Sequence, residues 1–72
     1  MGVFNANHED RYELLHFTYD LIEHETNKAW LIRLSKDKIW FPKSQCILNE
    51  DKSVIEVPRW MAEEKEIEDL AQ

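Results

Sequence analysis

Seventy-two residues leave room for one domain, and a marginal one, because at this size buried apolar area only just offsets lost conformational entropy. A hydrophobic fraction of 43%, with three Trp, three Phe and two Tyr, excludes an acidic disordered tail, and one Gly with two Pro excludes a linker or repeat array. The formal net charge of -6, from 15 acidic and nine basic side chains, argues against a protein that coats nucleic acid.

Residues 1–10 are polar and aperiodic and read as a flexible N-terminal arm; residues 11–72 read as one small domain. Over residues 11–23 alternation sets Leu15, Phe17, Tyr19 and Leu21 on one face and Leu14, His16, Thr18, Asp20 and Ile22 on the other. A helical period also fits, but Phe17, Thr18 and Tyr19 favour a strand. Glu25-Thr26-Asn27 reads as a hairpin turn. Residues 28–34 form the clearest strand, with Trp30, Ile32 and Leu34 facing one way and Ala29, Leu31 and Arg33 the other. After a turn at Ser35-Lys36-Asp37, residues 38–41 make a short strand closed by Pro42. Residues 46–48 and 53–57 give two more short strands around Asn49-Glu50-Asp51-Lys52. Pro58 suits a helix start, so a helix is expected over residues 58–71; the residues after Pro58 are helix formers throughout, with Trp60, Ile67 and Ala71 as a thin apolar stripe.

The expected fold is therefore mainly β (α+β): a small curled antiparallel sheet or SH3-like barrel of four or five strands, with one C-terminal helix. An open sheet with the helix across one face is the alternative.

Three blocks in order also resemble a set of small bacteriophage and mobile-element proteins. They are residues 25–32, ending Lys28-Ala29-Trp30-Leu31-Ile32; Ile39-Trp40-Phe41-Pro42-Lys43-Ser44-Gln45; and Val57-Pro58-Arg59-Trp60-Met61-Ala62. The shared pattern is KA-hydrophobic, W-hydrophobic-PKSQ, then VP-x-W, and the resemblance spans residues 14–65. It implies a phage-type accessory protein with a small β-rich fold and brings no catalytic residues with it. Cys46 after the PKSQ block and the acidic residues after Ala62 are particular to this chain.

Catalytic and metal chemistry find little support. His8, His16 and His24 recur every eight residues, but one continuous strand would hold the last two more than about 20 Å apart. No Cys or His pair has zinc-like spacing, and Cys46, the single cysteine, excludes an internal disulfide and reads as a small packed residue rather than a nucleophile. One glycine cannot build a phosphate loop. No enzyme activity, cofactor or metal is expected. The longest apolar run, residues 29–32, is too short to span a membrane, and residues 1–7 do not read as a secretory signal. The expectation is a soluble chain in the cytoplasm of a bacterial host, with no membrane contact.

Charge is unevenly spread: -5 over residues 1–26, +3 over 27–52 and -4 over 53–72. Glu63, Glu64, Glu66, Glu68 and Asp69 would give a helix a nearly continuous carboxylate surface, able to dock on a basic protein groove. Glu9, Asp10 and Glu13 could add to that charge. With the phage-type resemblance, this points to inhibition of a host protein or defence complex, in the manner of an anti-CRISPR protein. The rival surface is the basic centre, where Lys28, Arg33, Lys38 and Lys43 interleave with Trp40 as in single-strand nucleic-acid binders. Against it, three Trp in so small a core are wanted inside. A third use is edge-to-edge pairing of short strands into a homodimer.

Overall fold

Alternating apolar residues carry the chain through six short strands, as seen in a computed structural model that describes residues 11–71. The strands are β1 (Leu14–Thr18), β2 (Leu21–Glu25), β3 (Ala29–Leu34), β4 (Asp37–Pro42), β5 (Ile47–Asn49) and β6 (Val54–Pro58). They form two antiparallel three-stranded sheets, in the orders β1-β6-β5 and β2-β3-β4. The fold is mainly β, as expected, but the two sheets are not closed into one barrel. The expected arm, residues 1–10, lies outside the described residues.

The single strand expected over residues 11–23 is two strands in different sheets. The switch falls between adjacent residues: the Tyr19 N–H donates to Ser53 O at 2.9 Å, continuing the β1–β6 ladder, and the Asp20 N–H donates to Arg33 O at 2.9 Å, opening the β2–β3 ladder. Phase inverts at this step. Phe17 and Tyr19 are buried, but Leu21 is 46% exposed and Ile22 takes the inward position beside Ile32. Burial of Ile22 outweighs continuation of the original alternation.

Both sheets turn their inner faces to one core. Phe17, Ile55 and Val57 come from the first sheet, Ile32, Leu34 and Phe41 from the second, and all six are fully buried. Each such side chain stabilises the fold by about 1.5–3 kcal/mol. Trp30 and Trp60 pack partly buried against this core, whereas Trp40 is 43% exposed, so the tryptophans are not all interior.

The C-terminal helix is much shorter than the expected residues 58–71. It is α1 (Arg59–Glu64), followed by a 3-10 turn over Glu68–Leu70. Its first N–H groups are satisfied by the chain leading into β1: Arg59 N–H donates to Glu13 O and Trp60 N–H to Arg11 O. Its end is a Schellman motif. Glu66 N–H donates to Glu63 O at 3.0 Å, Ile67 N–H donates to Ala62 O at 2.9 Å, and Glu66 takes the left-handed φ of 59°. That position usually holds glycine, and no glycine marks it here. The cause of the stop is Ile67, which turns back into the core and is 3% exposed.

Candidate binding surfaces

The outer face of β2-β3-β4 is built by strand register. Leu31 stands opposite Trp40 on one side and His24 on the other, and Arg33 stands between Leu21 and Lys38. A bulge between Ile22 and His24 sets this alignment. The His24 and Trp40 rings meet edge to face with centroids 6.1 Å apart. Leu21 and Trp40 are exposed, so the face is apolar at its centre and cationic along one row.

The five basic-centre residues do not converge. Arg33, Lys38 and Trp40 share this outer face, but Arg33 is already paired with Glu23 at 2.5 Å. Lys43 lies over the Trp30 ring, 5.4 Å from its centroid, and pairs with Glu25 at 2.5 Å. Trp30 belongs to the opposite, inward row of the sheet, so Lys43 sits away from Trp40. Lys28 is exposed beside Lys43 at the end of the β3–β4 ladder. Sequence reasoning missed that Leu21, His24 and Leu31 complete the Trp40 surface; the alternation of β3 sets Leu31 on the face opposite Trp30, Ile32 and Leu34, but the register of its neighbours could not be read locally.

The acidic residues are arranged differently from the expected helical surface. Glu63 and Glu64 end α1, Glu66 occupies the left-handed turn, and Glu68 and Asp69 open the 3-10 turn. All five are exposed, and none makes an ion pair within the described residues. They are therefore a cluster wrapped around a turn, not a continuous helix face. Lys65, the one base among them, points inward, its Nζ 5.8 Å from the Phe41 ring centroid. Glu63 and Glu64 also sit at the negative end of the helix dipole with no basic residue in the last turn.

The outer face of β1-β6-β5 holds a shallow open cleft of about 290 Å³ lined by His16, Asn49, Lys52, Val54 and Glu56. His16 Nε2 and Glu56 Oε1 are 3.7 Å apart there. His16 and His24 thus lie in different sheets, and His8 is outside the described residues.

Cys46 is buried just before β5, its thiol donating to the Met61 Sδ at 3.7 Å. Burial pushes this thiol up to about 11, with Lys65 partly opposing the shift. A thiol held protonated in an apolar setting is a poor nucleophile. Burial and the Glu50 carboxylate likewise raise the Tyr19 hydroxyl. Among the described residues, no group of three or more His, Cys, Asp and Glu side chains could hold a metal ion, and no helix is long and apolar enough to cross a membrane.

No protein-family model matches the chain, and neither a curated protein nor a solved structure matches it.

Proposed function

We propose that this chain is a non-enzymatic, phage-type accessory protein that acts in the cytoplasm of a bacterial host by binding a host protein or defence complex, in the manner of an anti-CRISPR inhibitor. The two sheets serve as an SH3-like, partly open barrel, and the contact surface is Glu63, Glu64, Glu66, Glu68 and Asp69. The partner surface it fits is a basic groove of the kind that holds nucleic acid.

One observation carries this reading. Within the described residues, Glu13 is matched to Arg59, Glu23 to Arg33, Glu25 to Lys43 and Glu56 to His16, whereas Asp20, Asp37, Glu50 and Asp51 are unmatched but spread over three separate places in the fold. The five C-terminal carboxylates are unmatched as well, and they are crowded into seven residues from which the Lys65 ammonium turns away. Their mutual repulsion does nothing for the fold, so a cationic partner is the natural complement.

The test is affinity capture from host lysate across a salt series, with heparin as a competing polyanion. Capture of a nucleic-acid-handling protein that heparin displaces and salt weakens supports the reading. The Glu63→Lys, Glu64→Lys, Asp69→Lys triple variant should reduce capture at least tenfold. Binding that ignores salt and survives the triple reversal would sink it.

The alternative, a small nucleic-acid-binding module, is favoured only by the exposure of Trp40 beside Lys38 and Arg33. Pairing of Arg33 and Lys43 with carboxylates leaves that surface short of free cations.

A further inference from the structure

Strand β4 forms one open side of the β2-β3-β4 sheet. Three hydrogen bonds fix which backbone groups face outward. Asp20 N–H donates to Arg33 O and Thr26 N–H to Ala29 O on the β2 side of β3, whereas Lys43 N–H donates to Lys28 O on the β4 side. Backbone groups alternate along an antiparallel ladder. Asp37, Ile39 and Phe41 therefore direct theirs at β3, and Lys38, Trp40 and Pro42 direct theirs at the open edge. Pro42 has no N–H, and its carbonyl accepts from Gln45 and Cys46, both at 3.2 Å. Lys38 and Trp40 are left as the two β4 residues presenting both a donor and an acceptor, and both side chains are exposed.

We propose that this edge pairs with the same edge of a second copy of the chain, antiparallel about a two-fold axis at Ile39. Lys38 then exchanges backbone hydrogen bonds with Trp40 of the partner subunit, and Trp40 with Lys38 of the partner subunit. Each ammonium comes to lie beside an indole, where the ring face attracts it. Neighbouring registers are worse. One sets Lys38 against the partner's Lys38, and the other sets Lys38 against the partner's Pro42, which cannot donate. An edge lysine ordinarily discourages strand pairing; here the symmetry axis sets it against a ring instead of a second cation. A second copy supplies this match of backbone, cation and ring by construction, which selects it over an unrelated extended peptide. The contact is small, so the dimer is a weak one. It does not involve the acidic C-terminal cluster and stands independently of the function proposed above.

Sedimentation velocity from about 10 µM to about 1 mM tests the pairing. The average mass should rise toward twice that of the monomer across this range. Lys38→Pro removes only an outward N–H and leaves the β3–β4 ladder intact, so a folded monomer is expected by circular dichroism and mass. Lys38→Glu should weaken association at least tenfold. Trp40→Glu should keep it, because the new carboxylate faces the partner's Lys38. A protein that stays monomeric to 1 mM overturns the proposal, as does a dimer unaffected by Lys38→Pro. Should Lys38→Pro not fold, the opposite behaviour of the two Glu variants decides the matter. A monomer whose Trp fluorescence is quenched by single-stranded oligothymidine overturns it in favour of nucleic acid on this face.

Discussion

The β2-β3-β4 sheet and the segment from Arg59 to Ala71 are both rich in charge, yet they use it in opposite ways. In the sheet, charges meet across strands: Glu23 reaches Arg33, and Glu25 reaches Lys43. In the C-terminal segment, Arg59 pairs back to Glu13 at the entry, and the following carboxylates stay in solvent. Each exposed pair is worth only about 0.2–1 kcal/mol, so neither pattern decides stability. What differs is the surface left over. The sheet presents a face with Trp40 at its centre and Lys38 in its cationic row, and the segment presents net negative charge beside the core that anchors it.

The anchoring of that segment gives the largest expected effect. Ile67→Ala should cost about 2–5 kcal/mol in urea melts, because it empties a core position and removes the apolar contact closing the Schellman motif. Trp40→Ala, on the outer sheet face, should cost less than about 1 kcal/mol by the same measurement. Equal losses would mean that the two regions are not divided into an anchor and a free face.

Cys46 joins the regions through Met61 and gives the next effect, on pH. The folded protein holds the thiol protonated up to about 11, against an ordinary value of 9.0. Its contribution is complete below the unfolded value and is lost as pH rises from about 9 to about 11. Stability should fall by about 1–2 kcal/mol more across that window than in Cys46→Ala, as measured by denaturation at stepped pH. Parallel curves for the two proteins would place the thiol in water.

Glu66 gives the smallest effect, and of the opposite sign. Its left-handed φ suits glycine, so Glu66→Gly should stabilise by about 0.5–1 kcal/mol, read as a small rise in melting temperature. A loss instead would show that the Glu66 side chain contributes to holding the turn.

Much of the strand order was legible locally. The turn at Thr26 is fixed by its own hydroxyl, which accepts the N–H of Ala29 at 3.0 Å, and β3 followed its alternation with Ile32 and Leu34 buried. The β5–β6 turn is likewise held locally, by Asn49 Oδ1 accepting the Lys52 N–H at 3.2 Å. Two features were not legible. The break at Tyr19 and Asp20 depends on partners at Ser53 and Arg33, which no local period encodes. The helix stop at Glu66 carries no glycine, and every residue around it favours helix.

The candidate surfaces divide in the same way. That Glu63, Glu64, Glu66, Glu68 and Asp69 would be exposed followed from composition, because a dense set of carboxylates resists burial. Their wrapping around a turn, the separation of Lys43 from Trp40, and the joining of Trp40 with His24 and Leu31 did not follow. Those are matters of cross-strand register and of Ile67 finding the core. The sequence by itself determined a small, aromatic, mainly β domain with an acidic end, because alternation, turn chemistry and charge act over a few residues. Only the tertiary structure decided how the strands divide between two sheets and which tryptophan faces water, because burial in a shared core links residues far apart in the chain.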